Sequence, residues 1–75
     1  MAVHIILPRK SSDLLVIKFI TNGVITRTER FKVPFNKIAK LIRHHVHINT
    51  PIKLSNTTYT MMLKTTLKKY HYKFI

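Results

Sequence analysis

Two runs of β-branched and aromatic residues flank a single Asn-Gly pair in the first half of the chain. Asn22-Gly23 separates LLVIKFIT from VITRTERFKV, and Asn and Gly both accept the positive φ that a two-residue hairpin loop requires. This arrangement is typical of a β-hairpin. We therefore predict antiparallel strands over residues 13–21 and 24–33.

Counting outward from this turn predicts how the two strands pair. Ile20 would face Ile25, and Leu14 would face Phe31. The first of these strands is apolar on almost every position of both faces, which indicates a central place in a sheet. Its other neighbour would be residues 3–7, reached through the turn PRKSSD. The pattern thus predicts a three-stranded antiparallel meander.

After Val33 the apolar residues recur every three or four positions and no longer every two. Pro34 suits the first turn of a helix, where its missing N–H costs nothing. The apolar positions that follow at helical spacing are Phe35, Ile38, Ala39, Ile42 and Val46. This stripe predicts an amphipathic helix, which should end near His47 because the breakers Asn-Thr-Pro follow.

The last third of the chain fits two elements. After a Ser55 cap, one helical face would carry Tyr59, Met62, Leu63, Thr66, Leu67 and Tyr70. The tail from Tyr70 to Phe74 alternates strictly between aromatic and basic residues, which is a strand pattern. We predict a helix over about 56–69 and a strand over 70–74, so the helical layer has one or two helices.

These elements predict one small α+β domain over residues 1–75, with a three-stranded antiparallel sheet packed by one or two amphipathic helices. The predicted core consists of Ile5, Leu7, Leu14, Val16, Ile20, Ile25, Phe31, Phe35, Ile38, Ile42 and Met62.

The charge of the chain indicates more about its function than any sequence motif does. The 75 residues include 14 Lys and Arg but only 2 Asp and Glu, for a formal net charge of +12. Because 45% of the residues are hydrophobic, the chain is not a disordered basic tail. Such a balance attracts polyanions, and it predicts a domain that binds nucleic acid.

The candidate binding residues belong to four parts of the chain. The first helix contributes Lys37, Lys40, Arg43, His44 and His47, and the second contributes Lys64, Lys68 and Lys69. The hairpin contributes Arg27, Arg30 and Lys32, and the tail contributes Tyr72 and Lys73. Surfaces of this kind bind phosphate without reading sequence. The aromatic residues of the tail could stack on unpaired bases, or they could pack one face of a strand into the core.

Several kinds of chemistry are excluded by what the chain lacks. There is no Cys, which excludes thiolate metal sites, and the single glycine cannot form a Gly-rich phosphate loop. Asp13 and Glu29 are the only acids, so catalysis by paired carboxylates is nearly excluded. His44, His45 and His47 lie close together, but no spacing brings further ligands to them. We predict no catalytic residue, no metal and no cofactor, and therefore no enzyme.

Neither an export signal nor a membrane span is apparent. The opening MAVHIILPRK places its basic residues after the apolar run, the reverse of a signal peptide. The longest aliphatic stretch, residues 14–17, is far too short to cross a bilayer. We expect an intracellular protein of the cytoplasm or an organelle matrix, with no membrane partner.

Two resemblances also involve nucleic acid. The segment LSNTTYTMMLKTTLKKYHY resembles the last helix of transposase helix-turn-helix domains, where a Ser/Thr-rich start leads to Leu-Lys-Lys and an aromatic residue. The order of strand, hairpin, strand and helix up to His47 is similar to small three-stranded DNA readers and to the later part of double-stranded RNA-binding domains. A likeness of fold does not determine function.

Three functions fit the sequence. The first is a non-catalytic RNA-binding protein, a structural component of a ribosome or another ribonucleoprotein, with other proteins as possible neighbours. The second is a small DNA-binding regulator or architectural protein of viral or mobile-element type, whose charge should concentrate on one face. The third is an interaction module or inhibitor that binds an acidic protein surface.

Overall fold

The computed structural model describes residues 1–8, 13–55 and 60–75, which form four β-strands and two α-helices. The strands are β1 (Ala2–Ile6), β2 (Leu14–Thr21), β3 (Val24–Lys32) and β4 (Ile52–Leu54). The helices are α1 (Ile38–His45), which follows a 3-10 turn over Phe35–Lys37, and α2 (Thr60–Lys68). The predicted α+β class is confirmed.

The strands of the described residues form one mixed sheet in the order β3-β2-β1-β4. The predicted antiparallel meander of β1, β2 and β3 is confirmed. The prediction of three strands, all antiparallel, is wrong because β4 adds to the sheet parallel to β1, with Ile52 opposite Val3. A three-residue strand is too short to show a period of two, and its partner lies at the other end of the chain.

The hairpin turn at Asn22-Gly23 is confirmed. Asn22 has a φ of 54° and Gly23 a φ of 77°, and Thr21 pairs with Val24 across the turn. Two successive positive φ values match the twist of the flanking strands. A Cβ atom added at Gly23 would meet nothing within 4 Å, so glycine is favoured there by backbone conformation alone.

A β-bulge changes the register of the hairpin beyond its first two pairs. Ile20 faces Ile25 as predicted, but Phe19 then faces Arg27, which leaves Thr26 as an extra residue. The Thr26 hydroxyl donates a hydrogen bond of 3.3 Å to the Phe19 carbonyl. Phe31 is therefore opposite Leu15 and not opposite Leu14, so the predicted register is wrong by one residue.

This shift explains why the predicted core of β2 is wrong. A one-residue change of register moves side chains to the other face of the sheet, and β2 is apolar on both faces. Leu15, Ile17 and Phe19 are buried, whereas Val16 and Ile20 lie on the opposite face and are half-buried. The buried residues among those described are Val3, Ile5, Leu7, Leu15, Ile17, Phe19, Val33, Ile38, Ile42, Val46, Ile52, Leu63, Leu67, Tyr72 and Thr60.

Other predicted core residues have mixed outcomes. Ile5, Leu7, Ile38 and Ile42 are buried as predicted, and Phe31 packs partly buried against the core. Exposed positions that were predicted to be core are Leu14, Ile25, Phe35 and Met62. Met62 is 63% exposed because α2 turns Leu63 and Leu67 inward. Tyr59, also predicted for this face, lies outside the described residues.

Helix α1 buries most of its predicted stripe, with the exposed Phe35 as the exception, and ends two residues early. Ile38 and Ile42 are buried, and Val46 leaves the helix in an extended conformation. The Val46 amide still donates a hydrogen bond of 2.8 Å to the Ile42 carbonyl. The amphipathic helix predicted to follow Pro34 is therefore confirmed, with its first turn wound as a 3-10 helix.

The predicted strand over 70–74 is wrong. After α2 the His71 amide donates to the Lys68 carbonyl and the Tyr72 amide donates to the Leu67 carbonyl, while His71 has a φ of 71°. This is a Schellman motif, in which a left-handed residue ends the helix and an apolar pair, here Tyr72 and Leu67, packs beside it. Only one isolated bridge then forms among the described residues, between Phe74 and Ile52.

Two sequence predictions fall partly outside the described residues: the turn PRKSSD, of which residues 9–12 are not described, and the start of the second helix in residues 56–59. Ser55, the predicted cap, accepts a hydrogen bond of 2.9 Å at its side-chain oxygen from the Leu7 amide. Within the described segments, neither helix combines the length and apolar character needed to cross a membrane.

Candidate nucleic-acid interface

The sheet has one face against the helices and one face turned away from them. Val3, Ile5, Leu15 and Ile17 belong to the same buried cluster as the apolar residues of α1 and α2. Because side chains alternate along a strand, the residues that alternate with these buried ones point to the other side of the sheet. We call this side the outer sheet face. Its polar residues are His4, Lys18, Thr28, Arg30, Lys32 and Lys53.

One row of the outer sheet face crosses all four strands of the described sheet. Lys18 pairs with Thr28 on one side and His4 on the other, and His4 pairs with Lys53. Directly opposite residues point the same way, with their Cβ atoms about 5 Å apart in antiparallel pairs. The His4 imidazole thus lies between two ammonium groups.

The electrostatics of this row are positive. Burial lowers the pKa of His4 below its usual value, and the charges of Lys53 and Lys18 lower the pKa further. Glu29 cannot offset them, because it pairs with Ile17 and so points to the helix side. Among the described positions of this face there is no carboxylate, so the whole row favours an anion.

Arg30 and Lys32 extend the row along β3. Arg30 faces Val16 and Lys32 faces Leu14, which places both cations on the outer sheet face beside partly exposed aliphatic side chains. Thr28, Arg30 and Lys32 therefore share one face of β3, whereas Thr26 is the bulge residue.

Arg27 is separated from the other hairpin cations. It faces Phe19 on the helix side of the sheet, and its guanidinium carbon lies 4.1 Å from the centre of the Phe19 ring. Its Nε atom is also 3.2 Å from a Glu29 carboxylate oxygen. These contacts partly offset its charge, so Arg27 is a weaker candidate than Arg30 for binding phosphate.

A second basic surface lies on the solvent side of α1. Lys37, Lys40, Arg43 and His44 are exposed, while Ile38 and Ile42 point into the core. We call Lys37, Lys40, Arg43 and His44 the α1 face. It lies on the opposite side of the molecule from the outer sheet face, because α1 packs on the buried side of the sheet.

Arg43 and His47 have local partners. The Arg43 guanidinium carbon lies 3.7 Å from the centre of the Tyr70 ring, a cation–π geometry that joins α1 to the turn after α2. His47 follows the helix, and its Nδ1 atom accepts a hydrogen bond of 3.1 Å from the Asn49 amide. His47 is therefore not part of the α1 face as predicted, although it stays exposed nearby.

The remaining predicted cations surround the second helix and its end. Lys64 is half-buried, with its Nζ atom 5.7 Å from the centre of the Phe74 ring. Lys68, Lys69 and Lys73 are exposed. Lys64 and Lys68 lie one turn apart on α2, which puts them on the same side of that helix.

Tyr72 packs into the core of the domain. Its side chain is 5% exposed, and its hydroxyl donates a hydrogen bond of 2.6 Å to the Val46 carbonyl. Burial also raises the pKa of the Tyr72 hydroxyl, against a smaller opposing effect of Arg43. Tyr72 thus packs as the packing interpretation of the tail expects, and its contact with nucleic acid stays a prediction.

The histidines of α1 form ring contacts. The His45 and Phe31 ring centres are 4.8 Å apart, and the His44 and His45 rings meet edge-on at 4.9 Å. In the described parts of the chain, no three His, Asp or Glu residues gather in a way that could hold a metal ion.

Sequence reasoning missed His4, Lys18 and Lys53 as site residues. Lys18 is the one charged residue of its strand, and this was the available signal: an isolated cation in an otherwise apolar central strand must point to a face that helices do not cover. His4 and Lys53 could not be found, because β4 and its pairing with β1 were not predicted.

No protein-family model, curated protein or solved structure is significantly similar to this chain. The outer sheet face and the α1 face are therefore the features that indicate what the protein binds.

Proposed function

We propose that this chain is a non-catalytic RNA-binding protein that serves as a structural component of a ribonucleoprotein, with the ribosome as the leading candidate. One observation carries the proposal: the cations of the outer sheet face and those of the α1 face lie on opposite sides of a domain only 32 × 25 × 21 Å in extent. A folded RNA can surround so small a domain and present phosphates to both sides.

The distribution of charge supports this function over a DNA-binding regulator. Neutralising phosphates releases counterions, and this supplies much of the affinity for nucleic acid. A reader of one DNA groove needs its cations on the face that meets the duplex. Here Lys18 and Lys53 point one way and Lys37 and Lys40 the other, so a single straight duplex could reach only one of these pairs.

The test compares two double variants that each remove two charges. K18Q/K53Q changes the outer sheet face, and K37Q/K40Q changes the α1 face. Each protein is titrated by fluorescence anisotropy against a structured RNA, a DNA duplex and a single strand at several salt concentrations. Both variants should bind structured RNA more weakly, each with a salt slope flatter by about 1.4 to 1.8, given roughly 0.7 to 0.9 per phosphate contact.

Met61→Gln provides a control without a change of charge, because Met61 is 72% exposed on α2 and is part of neither basic surface. Its affinity for RNA should equal that of the native protein. Loss of affinity in only one double variant, with a preference for duplex DNA, would support the DNA regulator instead. Weak binding of the native protein to every nucleic acid would point to an acidic protein partner and end the RNA proposal.

A further inference from the structure

A groove of about 510 Å³ runs beside α1, on the side of the helix nearest the end of β3. Val33, which follows β3, and Leu41 of α1 line its apolar part. Val33 is buried and Leu41 is half-buried, so both side chains are fixed by the core. The volume lies within the range of about 300 to 1,000 Å³ that is common for small-ligand sites. We call this cleft the α1 groove.

Imidazole rings line the same groove. His44 and His45 both border it, and their rings meet edge-on with centres 4.9 Å apart. Behind them, Phe31 holds His45 in place through a ring contact of 4.8 Å. The groove thus has flat π-systems set beside aliphatic side chains, which suits a flat, weakly polar ring in the ligand.

The rim of the groove is positive. Lys37 and Lys40 border it, and both are exposed. No carboxylate is among the described residues that line it. A ligand that complements this site therefore combines a flat ring with negative charge on either side. A second copy of this chain is a poor occupant, because each copy carries a formal charge of +12.

A nucleotide that is not base-paired has this combination of features. In a paired helix the base faces are stacked and hidden, whereas a bulged or looped base can leave the stack and pack on side-chain rings. We propose that the α1 groove holds one unpaired base of the bound RNA against His44, His45 and Leu41, with the flanking phosphates at Lys37 and Lys40. This inference rests on the proposed RNA-binding function and names the part of the RNA that is recognised.

The test uses three RNA hairpins that differ at one position: fully paired, with a single bulged nucleotide, and with an abasic bulge. The abasic hairpin keeps the backbone and the phosphate of the bulge but lacks the base. The native protein should bind the bulged hairpin at least about fivefold more tightly than the abasic one, the effect of one base stack.

Two variants assign the preference to the groove. H44A and H45A should each reduce it, and H44A is the safer variant for folding because His44 is exposed and does not contact Phe31. The control is H47A, since His47 is exposed near the same helix but does not line the groove. H47A should keep the full preference for the bulged hairpin.

The outcomes separate this inference from the proposed function. Equal, tight and salt-sensitive binding of the bulged and abasic hairpins would overturn the base site and leave RNA binding intact. A preference that survives in both H44A and H45A would overturn the assignment to the α1 groove. No binding to any of the three hairpins would overturn the proposed function together with the base site.

Discussion

The Tyr72 hydroxyl donates a hydrogen bond of 2.6 Å to the carbonyl of Val46, at the point where α1 ends. Both residues are buried. This bond joins the last segment of the chain to the first helix, while the Schellman motif before Tyr72 fixes the direction in which that segment leaves α2. An aromatic residue that looked like a ligand contact in the sequence therefore holds the two helical parts together.

Replacing Tyr72 with Phe should destabilise the fold by about 1 to 2 kcal/mol, because the Val46 carbonyl would lose a partner in a buried site. Urea denaturation followed by circular dichroism measures this change. The affinity for RNA should stay as it is in the native protein, since Tyr72 does not reach the surface. Unchanged stability with weakened RNA binding would show instead that Tyr72 acts at the interface.

The same residue predicts a change of stability in alkali. Burial raises the pKa of Tyr72 in the folded state above its unfolded value near 10. The folded state therefore holds this proton more tightly than the unfolded state does. The stability that this difference contributes is fully present below about pH 10 and is lost as the pH rises through the pKa of the folded state. The difference in stability between the native protein and Y72F should shrink over that range, whereas a difference that stays constant with pH would contradict the argument.

The hairpin shows how far the pattern of residues determines this fold. Asn22-Gly23 predicted the turn correctly, because its geometry depends on two residues that accept positive φ. The bulge at Thr26 was not predictable, since Thr is common in regular strands and the strand opposite is apolar on both faces. Without an alternation to set the register, the inward face of β2 was assigned wrongly.

Replacing Gly23 with Val should destabilise the protein by about 1 to 2 kcal/mol, the usual cost of a left-handed conformation for a residue with a side chain. The space around Gly23 is open, so this cost comes from the φ of 77° and not from a clash. G23N is the matched control and should lose less stability, because Asn tolerates this conformation. Equal losses in the two variants, measured by thermal denaturation, would contradict the assignment.

Replacing His71 with Gly should stabilise the protein by about 0.5 to 1 kcal/mol. His71 has a φ of 71° at the end of α2, and glycine adopts this conformation without strain although it loses more chain entropy on folding. H71A keeps the Cβ atom and removes only the ring, so it should not be more stable than the native protein. Urea midpoints that rank H71A above H71G would be inconsistent with the Schellman motif.

The candidate interface was predictable only in part. The α1 cations were found because a helix of period 3.6 separates apolar and charged residues along a continuous segment. The outer sheet face joins His4, Lys18 and Lys53 from three strands, of which β4 pairs with β1 only through long-range packing. Local patterns cannot reveal such a row before the order of the strands is known.

Replacing His4 with Gln should flatten the pH dependence of stability below neutrality. Burial together with Lys53 and Lys18 lowers the pKa of His4 in the folded state, so the unfolded state binds the proton more readily. The free energy of unfolding is therefore highest above the unfolded-state pKa of about 6.5. It falls as the pH drops through that value towards the lower pKa of the folded state. Urea denaturation of the native protein and of H4Q at several pH values measures the effect, and identical pH profiles of stability would contradict it.

Binding of RNA to the outer sheet face should raise the lowered pKa of His4. Phosphates placed beside Lys18 and Lys53 would offset the repulsion that these ammonium groups exert on a charged imidazole, so the pKa of His4 should rise on binding. Binding would then take up a proton, and the affinity of the native protein should increase more steeply than that of H4Q as the pH falls through the raised pKa of His4. An NMR titration of the His4 ring with and without RNA measures the shift directly. A titration curve that is the same in both states would show that RNA does not contact the outer sheet face, even if the α1 face binds it.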